Sequence, residues 1–303
     1  MLKKFLLLVL TLGTMVSLAG CGSIGTNDAA ADKGKAHVSV SFDAMREFVE
    51  AVGKDKVAVS VIIPDGTEPH DFEPKAEDLK GLNEAQIFVY NGLGMETWAE
   101  KAVQAAGNSK LIAVKASTGI EAIKNTDEGE IKEHGVEDPH SWLSLKNAEI
   151  EVRNIKDALV EADPTNKAYY EKNCKDYTDQ LENLYQKYQT KFATVERKDF
   201  VTGHAAFSYF CRDFGLKQNS VEDVFAEGEP NAAQLAELIE YSKKHQVKTI
   251  FVEDMVSPAV SQTLANEVGA EVQTIYTMES HEDQKNYLER MQDNLDKIYS
   301  SLK

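Results

Sequence analysis

Residues 163–195 read DPTNKAYYEKNCKDYTDQLENLYQKYQTKFATV, and this stretch decides the architecture that we predict for the chain. Asp163 and Pro164 are typical of a helix start, with Asp as the N-cap and Pro at the first helical position. Because no Gly or Pro follows up to Val195, the sequence predicts one helix about 45 Å long, at roughly 1.5 Å per residue. A helix of this length can connect two lobes. Its sparse apolar residues are Tyr169, Tyr177, Leu181, Leu184, Tyr188 and Phe192.

Short β-branched strands alternate with helical segments on both sides of this helix. Before it, the predicted elements are strands 38–42, 57–63, 86–90 and 110–114 and helices 43–53, 75–83, 95–106 and 145–162. After it, they are strands 199–202, 217–221, 248–252 and 271–276 and helices 205–213, 231–244, 257–268 and 282–302. This alternation is typical of βα units on a parallel sheet. The predicted fold class is therefore α/β, with two (β/α) lobes that contain parallel sheets and are joined by one long rigid helix.

The composition excludes several classes of protein. The chain has 303 residues, with 33 Lys and Arg against 50 Asp and Glu, and a formal net charge of −17. A nucleic-acid binder needs positive charge to displace counterions from phosphates, so this chain is not expected to bind nucleic acid. A polybasic membrane-surface protein is excluded for the same reason. The length is sufficient for two domains of ordinary size.

The N-terminus has the layout of a secretory signal peptide. Within residues 1–20, Lys3 and Lys4 precede an apolar run and then small residues, which is the order found in such peptides. The segment ends in Leu-Ala-Gly before Cys21, which resembles the bacterial lipoprotein signal. That resemblance implies cleavage before Cys21 and a lipid on its thiol; a plain signal peptide with an incidental Cys is the alternative.

The residues that follow Cys21 complete this N-terminal organisation. Residues 21–36 are small and polar and predict a flexible tether. Removal of residues 1–20 takes away two lysines and no acidic residue, so the charge changes from −17 to −19. The predicted location is therefore extracytoplasmic, with the chain anchored by lipid to the cell membrane of a bacterium. Pairing of Cys174 with Cys211 stays open, because a sequence does not place their Cα atoms.

Four polar side chains follow strand ends or precede a helix, where parallel α/β sheets bind their ligands. His70 follows strand 57–63, His140 precedes helix 145–162, and His204 directly follows strand 199–202. Glu279 follows strand 271–276. Three imidazoles and one carboxylate suit a tetrahedral Zn²⁺ site.

The spacing of these four residues argues against a structural zinc finger. They lie 64 to 75 residues apart along the chain, whereas a zinc finger uses close pairs of ligands. Two come from each lobe, so a metal would join the lobes in the cleft between them. A single loop His is usually structural, and only the joint placement favours a metal site. His281 is a rival to Glu279 as fourth ligand, but a carboxylate balances the charge of the metal better.

Five motifs carry a resemblance to a known family. They are GTEPHDFEP at 66–74, VYNG at 89–92 with METW at 95–98, DPHSWL at 138–143, TGHAAF at 202–207 and EGEP at 227–230. With them, the mature chain resembles the solute-binding lipoproteins of zinc/manganese ABC transporters. That family includes zinc-uptake binding proteins and laminin-binding, adhesin-type lipoproteins. Its fold is two (β/α) lobes joined by one long rigid helix.

The resemblance implies roles for particular residues. His70 matches the first ligand of the family, His140 the second and His204 the third, which is His in zinc members and often Glu in manganese members. Glu279 matches the acidic fourth ligand, although the local sequence around it differs from the common forms. Many zinc members carry a His-rich loop here; residues 121–138 are instead acidic, with His134 as the single His of that segment.

These observations predict a metal-capture protein. Imidazole ligands favour Zn²⁺ over Mn²⁺, which prefers oxygen-rich sites. By position, Asp138 is a candidate to orient a ligand ring. The motif HExxH of zinc hydrolases does not occur in the sequence, so no enzymatic activity is predicted. We expect a monomer that captures Zn²⁺ and delivers it to a cognate ABC permease. The alternatives are a manganese-binding homologue and a surface adhesin, of the laminin-binding lipoprotein type, with a zinc site.

The predicted organisation has five parts. They are a lipoprotein signal peptide (1–20), a tether (21–36), an N-terminal metal-binding lobe (37–163), a linking helix (164–197) and a C-terminal metal-binding lobe (198–303).

Overall fold

The computed structural model describes residues 34–125, 131, 135–224, 231–253, 258–281 and 283–303. Several predictions fall outside these residues and stay predictions. They concern the signal peptide, the anchor Cys21, most of the tether, His134 and the EGEP motif at 227–230. Within the described ranges, no helix is both long enough and apolar enough to cross a membrane.

The first lobe is built on a parallel sheet whose four described strands have the order β2-β1-β3-β4. The strands are β1 (Ala36–Val40), β2 (Val57–Val61), β3 (Ile87–Tyr90) and β4 (Ile112–Lys115). The helices are α1 (Asp43–Gly53), α2 (Ala99–Ala106) and α3 (Leu145–Ala162). Strands β1 and β3 are almost wholly buried, as expected for central strands of a sheet that is covered on both faces.

The second lobe repeats this topology with the order β6-β5-β7-β8 in its described strands. Its strands are β5 (Asp199–Thr202), β6 (Lys217–Ser220), β7 (Thr249–Val252) and β8 (Glu271–Thr274). The long helix α4 (Lys167–Ala193) precedes them, and the later helices are α5 (Ser208–Phe214), α6 (Ala232–Lys244), α7 (Pro258–Val268) and α8 (Tyr287–Ser301). The predicted α/β class with two parallel-sheet lobes and a long helix is thus confirmed.

Helix α4 packs along elements of both lobes. Its 27 residues correspond to about 40 Å at 1.5 Å per residue. It contacts α1 and α3 of the first lobe and α5 and α8 of the second. The contacts use one buried stripe at helical spacing. This stripe consists of Tyr170, Asn173, Cys174, Thr178, Leu181, Leu184, Tyr188 and Phe192.

Several predicted boundaries were wrong. The long helix predicted from Pro164 begins at Lys167, after a 3-10 turn over Pro164–Asn166, and the helices predicted from residues 205 and 282 begin at Ser208 and Tyr287.

The segment predicted as an α-helix over residues 75–83 contains a 3-10 helix over Asp78–Asn83 instead. Gly81 lies in the middle of this 3-10 helix, and Gly is a poor former of α-helices. The helix predicted from residue 95 begins at Ala99, because the carboxylate of Glu96 accepts hydrogen bonds from the turn before it. Strand β1 begins at Ala36, two residues before the predicted start.

The two cysteines of the described body are free and buried. Cys174 lies on α4 and Cys211 on α5. Burial raises the pKa of the Cys174 thiol. The pairing that the sequence left open therefore does not occur in this structure.

Candidate metal centre

Four buried side chains converge at one point. Each offers one ligand atom, and these atoms all lie within 4.8 Å of one another. Their residues expose at most 6% of their surface. We call this set the His₃Glu group; it consists of His70, His140, His204 and Glu279. The predicted site residues are therefore brought together by the fold.

The distances within the His₃Glu group suit a tetrahedral metal ion. The Nε2 atom of His140 lies 3.2 Å from Nε2 of His70 and 3.3 Å from Nε2 of His204. The Oε1 atom of Glu279 lies 3.5 Å from Nε2 of both His70 and His140. Bonds of 2.0–2.1 Å in a tetrahedral zinc site place neighbouring ligand atoms about 3.3–3.4 Å apart. These four of the six ligand–ligand separations match this value, and the other two are at most 4.8 Å.

His140 is oriented by a carboxylate. Its Nδ1 lies 3.0 Å from Oδ1 of Asp138, and its backbone N–H donates to the same oxygen over 2.9 Å. A proton on Nδ1 leaves the lone pair of Nε2 directed into the site, as in carboxylate–histidine–zinc arrangements. Tyr209 of α5 donates its hydroxyl proton to the carbonyl of Asp138 over 2.7 Å. Asp138 thus makes the ring-orienting contact that its position in the sequence predicted.

The loop that carries His140 is held by a buried polar network. Asn91, which follows β3, donates its side-chain amide to the carbonyl of Pro139 over 2.8 Å. The hydroxyl of Ser141 lies 3.0 Å from Oδ1 of Asn91 and 2.6 Å from a carboxylate oxygen of Glu151. Glu96 accepts from the backbone N–H of Asn91 over 2.9 Å. This network explains two of the motifs, since the VYNG and METW segments support the DPHSWL loop.

Within the described part of the chain, the backbone of His204 is hydrogen-bonded by its own lobe. Its carbonyl accepts hydrogen bonds from Thr202 Oγ1 at 2.6 Å and from Gln218 Nε2 at 2.8 Å. Its backbone N–H donates to Oε1 of Glu253 over 3.4 Å, and its ring Nδ1 lies 3.8 Å from the same oxygen. Glu253 is buried, and sequence reasoning missed it. Its position directly after β7 is the signal that identifies it.

Glu279 approaches the site from a turn with unusual backbone geometry. The preceding Met278 has a φ of 62°, a left-handed conformation that costs about 1–2 kcal/mol in a residue with a side chain. Thr277 donates its hydroxyl proton to Oε2 of Glu279 over 2.7 Å. The other oxygen, Oε1, is buried and has no hydrogen-bond partner among the described residues. This oxygen is the one that faces the three imidazoles.

His281 does not belong to the centre. Its side chain is 43% exposed, and its Nδ1 lies 3.0 Å from a guanidinium nitrogen of Arg46 and 3.9 Å from Asp43. The structure thus brings Glu279, not the rival His281, to the three imidazoles. A second carboxylate near the centre, Glu68, lies with Oε1 4.0 Å from Nε2 of His70. Sequence reasoning assigned Glu68 no role.

Burial and neighbouring groups shift the pKa values of His140 and His204 in opposite directions. Burial lowers the pKa of His140, but its contacts with the carboxylates of Asp138 and Glu279 outweigh this effect and raise the pKa to about 9. Burial lowers the pKa of His204 to about 3. Burial also opposes ionisation of Glu279, yet its contacts with His140 and His70 hold its pKa well below the usual range. Burial raises the pKa of Glu253 to about 8. The centre therefore contains one firmly ionised carboxylate facing the imidazoles.

Two α/β lobes with three imidazoles and one carboxylate buried at one point indicate the class of this protein. It is a metal-binding protein of the solute-binding type. Comparison with known proteins gives the particular family. The model of the family described as zinc-uptake complex component A, periplasmic (ZnuA), matches residues 38–301. The chain belongs to this family, whose members are solute-binding proteins of metal ABC transporters rather than enzymes, and zinc is favoured over manganese as the metal.

Individual relatives agree with this assignment. A putative metal-binding protein of Treponema pallidum is 43% identical, over 96% of this chain and 95% of its own length. The high-affinity zinc uptake system protein ZnuA of Bacillus subtilis is 39% identical, over 100% of this chain and 99% of its own. The solved structure of the laminin-binding protein of Streptococcus agalactiae, described as bifunctional with adhesin and metal-transporting activity, superposes with a TM-score of 0.81. It is 34% identical and covers 89% of this chain and 100% of its own.

Proposed function

We propose that the His₃Glu group binds one Zn²⁺ ion, which the protein captures outside the cytoplasm and delivers to a membrane permease. The ligand separations of 3.2–3.5 Å carry this proposal. They correspond to four of the six edges of a tetrahedron around zinc. Four protein ligands leave no open position for a reactive water, which suits transport rather than hydrolysis.

Zinc is the preferred cargo because of the chemistry of the ligands. Imidazole nitrogen suits Zn²⁺, whereas Mn²⁺ prefers carboxylate, carbonyl and water oxygens. Manganese is accordingly the weaker alternative. Co²⁺, Ni²⁺ and Cu²⁺ also bind such a set of ligands, so selection in the cell depends on metal availability as well as affinity.

The N-terminus attaches the protein to the membrane in this proposal. The lipoprotein-like sequence before Cys21 supports cleavage at that residue and lipidation of its thiol. A monomer anchored in this way would present its centre to a permease in the same membrane. Metabolic labelling with a radioactive fatty acid tests the anchor, and a Cys21→Ala variant that still incorporated label would refute it.

Metal analysis and competitive titration test the central proposal. The purified protein is expected to contain one zinc ion, and Zn²⁺ is expected to displace Mn²⁺ completely at equal concentrations. The variant His204→Ala removes a ligand, and His245→Ala serves as a matched control because His245 lies near Asp199, away from the centre. Equal zinc affinity in the parent and in His204→Ala would exclude the assigned site.

A further inference from the structure

We propose that three ligands of the His₃Glu group are held by the first lobe and one ligand by the second. His70, His140 and Glu279 form a preassembled half-site on the first lobe, and His204 is the ligand that separates when the lobes move. Arg290 is the positioning residue that holds Glu279 in this half-site. The proposal rests on the proposed function, and it differs from chain order, which would assign two ligands to each lobe.

The segment that carries Glu279 is bonded to the first lobe. We call Thr277–His281 the Glu279 loop; it follows β8, a strand of the second lobe. Among the described residues, each hydrogen bond that leaves this loop ends on the first lobe or on Arg290. Four of them join Trp142 Nε1 to the carbonyl of Thr277 (2.7 Å), Asp43 N to the carbonyl of Glu279 (3.4 Å), Gly66 N to Oγ of Ser280 (2.8 Å) and His281 N to Oδ1 of Asp65 (3.2 Å).

Arg290 joins the Glu279 loop to helix α1. Its side chain is completely buried. One guanidinium nitrogen donates to the carbonyl of Ser280 over 3.0 Å. The other donates to Asp43 over 2.7 Å and to Glu47 over 3.2 Å. A buried guanidinium is costly to leave unpaired, so loop, arginine and α1 are expected to stay together.

The start of α8 is attached to the first lobe as well. The hydroxyl of Tyr287 donates to the carbonyl of Trp142 over 2.5 Å, and its backbone N–H donates to Glu47 over 3.3 Å. Its ring packs edge-on against Phe48 of α1, with the centroids 4.7 Å apart. The Glu279 loop is therefore held to the first lobe at both its centre and its C-terminal side.

His204 has the opposite attachment. The hydrogen bonds that fix its backbone come from Thr202, Gln218 and Glu253, which all belong to the second lobe. Its contact across the centre is the 3.3 Å approach of its Nε2 to His140. Separation of the lobes would thus remove one imidazole and leave three ligands in place. Such a half-site would retain the ion weakly, so that capture and release each require one ligand to move.

Distances between spin labels test this division. In the full mature chain with Cys21→Ser, one label is placed at Lys110→Cys on the first lobe. The second label is placed either at Gln284→Cys, beside the Glu279 loop, or at Lys217→Cys on β6. These three positions are exposed, whereas Cys174 and Cys211 are buried, and the parent without added cysteines shows whether they stay unlabelled. Pulsed EPR is recorded with Zn²⁺ and with a chelator.

The expected result is a different response of the two pairs. The 110–284 distance should be the same with zinc and with chelator, and the 110–217 distance should change. A 110–284 distance that shifts together with 110–217 would overturn the three-plus-one division. If neither the 110–284 nor the 110–217 distance changed, the proposed separation of His204 from the other three ligands would be refuted. Failure of the proposed function is seen separately, as absence of zinc binding by calorimetry in the same samples.

The variant Arg290→Lys tests the positioning role. It keeps the positive charge but lacks the fork that reaches Ser280 and Asp43 together. In the metal-free state we expect the 110–284 distance to broaden while the 110–217 distance keeps the parent's distribution, a pattern that general destabilisation would not produce. An unchanged 110–284 distribution would remove Arg290 from the proposal. If the variant does not fold, the measurement on the parent still decides the division of the ligands.

Discussion

Replacement of Asp138 by Asn should weaken zinc binding in a manner that depends on pH. In the parent, Oδ1 of Asp138 lies 3.0 Å from Nδ1 of His140. Loss of such a contact typically costs 10–100-fold in metal affinity, which corresponds to about 1.4–2.7 kcal/mol. The asparagine keeps an acceptor for the backbone N–H of His140 but removes the negative charge.

The pH dependence follows from the same contact, because Asp138 stabilises protonated His140 as well as metal-bound His140. The pKa of His140 is raised to about 9, so at pH 7 zinc must displace a proton at a cost of about 2.7 kcal/mol, two pKa units at 1.36 kcal/mol each. In the variant, burial lowers the pKa of His140 and this competition weakens. The loss of affinity should therefore be largest near pH 9, on the order of 10–100-fold. At pH 7 it should shrink strongly or vanish, because proton competition in the parent offsets up to about 100-fold of it.

Competition against a chromophoric chelator between pH 7 and pH 9 measures this difference. Asp163→Asn is the matched control. The carboxylate of Asp163 also accepts two hydrogen bonds, from Asn166 and Tyr170, and Asp163 lies before α4 rather than in a loop that carries a ligand. The control should bind zinc as the parent does at each pH. A loss in Asp138→Asn that is constant with pH, or that grows as the pH falls, would refute the reasoning.

Four further outcomes are expected. His140→Ala should weaken zinc binding by on the order of 100-fold or more, whereas by calorimetry His245→Ala should equal the parent. Zinc binding at pH 7 should release about one proton, from His140; calorimetry in buffers of different ionisation enthalpy measures it, and no release would contradict the raised pKa. Leu181→Ala, at a fully buried position, should cost about 2.7–5 kcal/mol in urea unfolding, and a loss under about 1 kcal/mol would exclude the packing of α4 described above. Gln246→Gly should stabilise the protein by up to about 1 kcal/mol, because Gln246 has a φ of 52°; a lower unfolding midpoint would contradict this.

The order of elements was predictable because its signals are local. Apolar β-branched runs and the helical stretch after Pro164 identify strands and helices without reference to tertiary contacts. The 3-10 helix around Gly81 was missed, since its charged and apolar residues also fit a short α-helix. The start of α2 was missed because Glu96 binds the turn at Asn91, a contact that only the folded chain shows.

The four residues of the His₃Glu group were predictable for a topological reason. His70 and His204 follow strands, and the carboxyl ends of parallel strands lie at one edge of a sheet. The residues that support the His₃Glu group were harder to predict. Glu253 has the same strand-end signal as His204, whereas the role of Asn91 depends on the distance to a loop 48 residues away. The grouping of Glu279 with the first lobe depends on long-range hydrogen bonds and has no local signature.

The burial of the His₃Glu group has a consequence for the ions that the protein does not bind. An ion that binds between ligand atoms 3.2–3.5 Å apart must give up its entire hydration shell. Mg²⁺ sheds water reluctantly and demands an octahedron of oxygens, and Ca²⁺ takes six to eight oxygen ligands. Both carry the same charge as Zn²⁺, so the net charge of the chain, −17, attracts all three alike. On this assignment, discrimination against the two common cations comes from dehydration and geometry, not from electrostatic attraction.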